Sequence, residues 1–410
     1  MWCSSEKNTE IVQWILLTTT AIVAFAGAAV ADGHTSIAFS GSATLGFNDD
    51  DVAGENGFYW GANMGINMSA ALANGVTAGA VFDVELDDEG DTTNTIAGTN
   101  DFNLVSSDVV LSLTTDTAGL YFGDVAFAAE TQWSGAGDMH ADAFSEADGE
   151  VAIRGDVTMG GVSASVSYAL ATSNGLVVGD APLTAGDQYD QLSLGASGDL
   201  GMFSFAVAYQ AEADNDWSGG GNGDFTNTQV FGISGGVAVA GADVTVAYAE
   251  QKDTASDDKL TSLGVQVAYP FGPVTATAYY VVEDTNVSGG PDLDDNYGLK
   301  VAYADGPIAV TASVRSEGGD PRASTQPDPT QTEWNLEGSY DVGNGLTLLA
   351  GALNENEGDD ADYYVGGTYD LGGGAEVLAV FAEDKDGDQA DEIGSAEYLP
   401  GTTVEVSFSF

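Results

Sequence analysis

The chain reads as an all-β protein, a transmembrane up-and-down antiparallel β-barrel, on three observations. Runs of about ten residues alternate apolar with small or polar side chains from residue 34 to the last residue. Short glycine-rich turns and long acidic loops take turns between these runs, as they do when one end of every hairpin is trimmed and the other elaborated. Beyond residue 33 no stretch has the ~18 or more continuous apolar residues of a membrane helix, so a membrane would have to be crossed with strands.

The first element lies outside that pattern. "ILLTTTAIVAFAGAAVADG" (15–33) is an apolar core followed by small residues, and Ala29-Val30-Ala31 fits the A-x-A cleavage pattern. We therefore expect a signal peptide over 1–31 and a barrel over 32–410. The region before the apolar core is atypical, because Lys7 is accompanied by Glu6 and Glu10. The only cysteine is Cys3, so an intrachain disulfide and a thiolate zinc site are both excluded.

The strands then follow in order near 34–47, 58–72, 76–86, 101–114, 119–125, 149–159, 162–170, 188–197, 202–211, 226–239, 242–251, 260–269, 273–283, 296–304, 307–316, 331–342, 345–354, 362–370, 375–383 and 402–410. That makes 20, an even number as a closed barrel of this type requires, with 16 and 18 left open by weak runs such as 119–125. "VSASVSYAL" (162–170) shows the two faces: Val162, Ala164, Val166, Tyr168 and Leu170 point one way, and Ser163, Ser165 and Ser167 the other. The short connections include "GG" (160–161), "AGA" (240–242) and "GNG" (343–345), and the long ones include 87–100, 126–148 and 384–400. Aromatic residues gather at run ends, among them Tyr168, Tyr269, Tyr340, Tyr369, Phe408 and Phe410, as in the interfacial girdles of membrane barrels. The last run alternates to the final residue, Phe410. A strand can end a chain in this way when it pairs on both sides, with its predecessor and with the first strand.

Charge narrows the function. Eight Lys and Arg stand against 64 Asp and Glu, a formal charge of −56, which excludes nucleic-acid binding through phosphates and docking on anionic lipid through a basic patch. The sequence has no G-x-S-x-G, H-E-x-x-H, P-loop or G-x-G-x-x-G after a strand, so no enzyme is expected. A secreted or surface acidic all-β protein that binds calcium is the alternative. It shares the composition but does not call for strict short–long loop alternation or an aromatic last residue.

In "FSGSATLGF" (39–47), the hairpin 58–86, "GLYFGDV" (119–125), "YYVGGTYDLGGGAEV" (363–377) and "VEVSFSF" (404–410), the chain resembles the general-diffusion porins of alphaproteobacteria, a Gram-negative outer-membrane family. The resemblance covers the layout of the whole chain after the leader. It implies a water-filled channel for passive diffusion of small hydrophilic solutes and ions, set among outer-membrane lipid and lipopolysaccharide. It also implies a homotrimer, a third long loop folded into the pore, and a terminal aromatic read by the assembly machinery. By position the constriction loop is 126–148, with Glu130, Asp138, His140, Asp142, Glu146 and Asp148. The reading beside it is an ordinary solvated external loop.

Parity places Arg154, Lys300 and Arg315 on the lumen face, because a basic side chain facing lipid at mid-depth costs ~2–4 kcal/mol. They serve either selectivity or structural ion pairs with Asp156, Glu333 or Glu337. Asp83, Glu85, Asp156, Asp243, Glu333, Glu337 and Glu405 also face inward, so the pore is expected to select cations. Family pores carry a stronger basic cluster, and this departure argues against anion or sugar-phosphate specificity. No cofactor is expected beyond loosely bound calcium. For "DKDGDQADE" (384–392) a solvated rim and a weak calcium site at Asp384, Asp386 and Asp388 both stand, since the spacing is not that of an EF-hand.

Overall fold

In a computed structural model the alternating runs become twenty strands. The structure describes residues 35–49, 57–72, 75–87, 104–144, 151–169, 191–212, 228–253, 258–286, 293–318, 330–354, 361–383, 393–394 and 398–410. The first ten strands are β1 (Thr35–Asn48), β2 (Gly57–Ala71), β3 (Thr77–Asp87), β4 (Leu104–Thr114), β5 (Ala118–Gly123), β6 (Ala152–Met159), β7 (Val162–Ala169), β8 (Gln191–Asp199), β9 (Phe203–Glu212) and β10 (Thr228–Val239). The second ten are β11 (Ala242–Asp253), β12 (Lys259–Phe271), β13 (Val274–Thr285), β14 (Asn296–Asp305), β15 (Ile308–Glu317), β16 (Gln331–Gly343), β17 (Leu346–Asn354), β18 (Asp362–Gly372), β19 (Ala375–Glu383) and β20 (Gly401–Ser409).

Each strand pairs antiparallel with its chain neighbours, and β20 also pairs with β1, from Ser42 opposite Ser409 to Asn48 opposite Thr403. The sheet is therefore a closed barrel with no open edge. The final residue is fixed by the first strand: Phe410 N–H donates to Gly41 O at 2.8 Å and Gly41 N–H to Phe410 O at 3.2 Å. The short turns use the backbone that tight hairpins need. Ala240 and Gly241 both have positive φ, 53° and 85°, which matches the twist of β10 and β11. The one α-helix among the described residues is a single turn, Ala128–Gln132, a 3-10 turn follows at His140–Asp142, and no described helix is long and apolar enough to cross a membrane.

The predicted faces are those observed. On β16, Glu333, Asn335 and Glu337 are buried while Trp334 and Leu336 are exposed. On β12, Ser262 is buried and Leu263 and Val265 are exposed. The buried face is the concave one, because the single segment between β5 and β6 touches side chains from β6 through β15, half the strands of the barrel. Only the inside of a closed sheet brings so many strands around one short segment.

The inner face departs from a uniformly polar lining. Val230 on β10, Leu260 on β12, Val281 on β13, Leu349 on β17 and Val380 on β19 all lie on it and are buried. They are tolerated because inserted chain covers them and keeps them from water.

Candidate functional site

The candidate site is the lumen and the segment 124–144 that lies in it. β5 ends at Gly123, two residues before the run read from sequence, and the reason is local. Gly123 has φ +126°, and a Cβ there would collide with the Val109 carbonyl of β4. The chain leaves the wall at this point and turns inward. Arg154 on β6 holds the departure. Its Nη1 donates to Ala126 O at 2.7 Å and to Thr131 Oγ1 at 3.1 Å, its Nε sits 3.1 Å from Asp156, and its guanidinium lies over the Tyr121 ring.

Lumen serines then secure the helical turn. Ala128 N–H donates to Ser167 Oγ on β7 at 2.9 Å and Ala129 N–H to Ser193 Oγ on β8 at 2.8 Å. These are the N–H groups a helix start leaves without partners. Gln132 donates to Ser165 Oγ and accepts from Ser197 Oγ. Beyond it Trp133 stacks at a tilt on Phe144 and donates from Nε1 to Asp142 Oδ2 at 2.8 Å. Trp133, Ala136, Met139 and Phe144 form one apolar cluster with wall residues Ala206, Ala208, Val230, Ala247, Ala249, Leu260 and Val281.

The tip of the segment is held by charge. His140 N–H donates to Glu283 Oε1 at 3.0 Å, Ala141 N–H to Ser262 Oγ at 2.9 Å, and Asn296 Nδ2 to Asp138 O at 3.0 Å. Arg315 on β15 pairs through Nε with Glu333, and approaches Glu317 at 3.5 Å and Asp138 at 3.9 Å. The His140 ring meets Glu317 at 3.3 Å. Burial favours the neutral imidazole, but the Glu317 hydrogen bond and the charges of Glu283 and Asp138 outweigh it and hold His140 above the ordinary histidine range. Asp138 is pushed up, by burial first and by Glu317 next.

The expected residues therefore divide. Asp138, His140, Arg315 and Glu333 come together in this buried knot, and Arg154 and Asp156 in the departure contact. Asp142 is pinned within the segment by Trp133. Glu130 sits half-buried on the helical turn. Lys300 is half-buried on the wall, with Glu337 as its charged neighbour. Glu337 accepts from Tyr364 Oη at 2.9 Å and Asn335 Nδ2 at 2.6 Å. Asp83 and Glu405 line the wall of β20 and β1–β5, with Tyr59 Oη donating to Glu405 at 2.8 Å. Glu146, Asp148, Asp384, Asp386, Asp388 and the side chain of Glu85 lie outside the described residues. Among the described residues no group of three or more His, Cys, Asp or Glu side chains is arranged to hold a metal.

Sequence reasoning missed the seat of the segment. Gly195 on β8, Gly232 on β10 and Gly264 on β12 all face the lumen. A Cβ there would run into Ala128 and Gln132, into the Trp133 ring, and into the Ala136 carbonyl respectively. These glycines let the segment lie flush on the wall. Their signal is present in the sequence as glycine recurring at lumen parity on β8, β10 and β12. Tyr279 was also missed: it faces inward, packs against Gly137 and lies across Gly298.

A family model described as Gram-negative porin matches residues 18–360. Among solved structures the chain is similar to variants of the Rhodopseudomonas blastica porin. A triple mutant aligns over 92% of this chain and 100% of its own at 14% identity with a TM-score of 0.41. A double mutant aligns over the same shares at 14% identity with a TM-score of 0.42. No curated protein matches the chain.

Proposed function

This chain belongs to the Gram-negative porin family, and from that premise we propose that it is a cation-selective general-diffusion channel of the outer membrane, narrowed by segment 124–144. The single observation that carries the selectivity is the fate of the lumen bases. Arg154 is tied to Asp156 and to the segment, and Arg315 is buried among Glu333, Glu317 and Asp138. Both are spent on holding the segment, and Lys300, the third lumen base, is half-buried on the wall with Glu337 as its charged neighbour. The wall it leaves uncovered carries Asp83 and Glu405. An aqueous passage with that balance concentrates cations. Transport of this kind needs no nucleophile, cofactor or bound metal. The likeness to general-diffusion porins also leads us to expect export through leader 1–31 and three barrels per particle, which the mass of the detergent-solubilised protein tests.

The functional experiment is single-channel recording in a planar bilayer under a KCl gradient. Stepwise conductance with a reversal potential on the cation side supports both parts of the proposal. Steps without cation preference would overturn the selectivity and keep the channel. A folded barrel that never conducts would overturn the channel.

A further inference from the structure

Apolar side chains on the inner wall of a water-filled barrel are unfavourable unless something covers them. Two inner patches of this kind exist. The first lies under segment 124–144. The second lies on β17–β19 and consists of Leu349, Tyr364, Val380 and Ala382, all 9% exposed or less. The chain that reaches it comes from the connection ahead of β20: Tyr398 packs on this patch, with its ring edge-on to Tyr364 at 4.9 Å between centroids. Four residues earlier Gly394 runs over Asn335 and Glu337 of β16, and a Cβ built there would lie 3.3 Å from Asn335 Nδ2 and Glu337 Oε2. Ile393 beside it is 5% exposed. Two separate points of one connection thus rest on the lumen face of neighbouring strands.

We propose that Tyr398, with Ile393 and Gly394, forms a second inner wall of the channel and is a determinant of what passes. The first inserted segment lies along β6 to β15, and this one continues over β16 to β19. The passage is left against β20 and β1–β5. The Tyr398 ring hides the apolar patch and stands in the field of Glu337, Glu376 and Glu405, so it sets the width of the passage beside an acidic surface. Solutes that are small and positively charged fit this surface best. The inference rests on the channel reading above.

The test uses Tyr398→Cys in the full chain with Cys3 replaced by Ser, so that the introduced thiol is unique. Single-channel conductance should rise above the parent when the ring is lost. A negatively charged thiol reagent should then lower it in one step and shift the reversal potential further to the cation side. A positively charged reagent should lower it and shift the potential the other way. Tyr363→Cys, on the outer face of β18, should respond to neither. A conducting Tyr398→Cys channel that ignores both reagents overturns the inference and leaves the channel reading standing. If the parent does not conduct, the channel reading fails instead. The position of the wall is then read from the pair Gly394→Cys with Asn335→Cys, whose Cβ atoms would lie 3.5 Å apart, within disulfide range. A crosslink in the folded barrel keeps the second wall, and its absence removes it.

Discussion

Arg315 shows what a lumen charge does in this barrel. Its side chain and that of Glu333 are 6% and 2% exposed, and Asp138 beside them is 6% exposed. Breaking such a buried pair by removing one partner typically costs ~3–5 kcal/mol, because the remaining carboxylates keep their burial and lose their counter-charge. Arg315→Gln should therefore lower the urea midpoint in detergent and speed deuterium exchange across 136–144. Unchanged exchange there would mean that Arg315 does not hold the segment. His140 adds a pH dependence whose sign follows from its raised value. The imidazolium's contribution to docking is complete below the ordinary histidine range and is lost as pH rises through the elevated value. A ring titration by NMR, assigned against His140→Gln, should give a midpoint above about 6.5. A midpoint at or below that would show that Glu317 and Glu283 do not engage the ring.

At the scale of the element, the inserted segment depends on glycine at three points of the wall beneath it, Gly195, Gly232 and Gly264. Gly264→Val places a branched side chain where the Ala136 carbonyl now lies. Overpacking of this kind costs ~1–3 kcal/mol, and the segment is tied to the wall by separate side-chain hydrogen bonds rather than by a strand ladder, so it is the segment that should yield. The expected result is reduced and noisier conductance with unchanged strand content by circular dichroism. Gly235→Ala on the outer face of β10 has ordinary space around it and should leave conductance unchanged. Equal effects from the two substitutions would mean that the seat is not specific. The same dependence explains what sequence could and could not show here. The alternation that places Gly195, Gly232 and Gly264 on the lumen face was legible strand by strand. That three glycines on separate strands form one continuous seat is a property of the closed sheet.

For the whole molecule, the proposed selectivity would arise from the summed field of a chain with a formal charge of −56. Raising salt from ~0.1 M to ~1 M shortens the screening length from ~10 Å to ~3 Å. At a fixed concentration ratio the reversal potential should fall toward zero over that range. A potential that does not change with salt would point to a steric filter rather than a diffuse acidic field. Closure makes a second prediction at this scale. Phe410 carries both hydrogen bonds to Gly41 and stacks on Phe408. Deleting it removes the last rung between β20 and β1, and the yield of folded barrel should drop, read as the heat-modifiable band in gel electrophoresis. An unchanged yield would show that closure is complete without that rung.

The sequence by itself carried a count of twenty strands, with 16 and 18 open until the sheet closed, and determined the order of short and long connections and which face of each strand meets lipid. These follow from a period of two and from turn chemistry, both local along the chain. It also placed Arg154 and Arg315 on the lumen face and offered carboxylates as their partners, because parity and the cost of charge in lipid leave few choices. Only the tertiary structure decided which carboxylates are used. Asp138 meets Arg315 across 177 residues of chain, and Tyr398 meets Tyr364 across the lumen face of β18. Such partners are set by where a loop lands inside the barrel. That landing depends on apolar patches and glycine seats assembled from many strands at once, and no stretch of sequence contains them together.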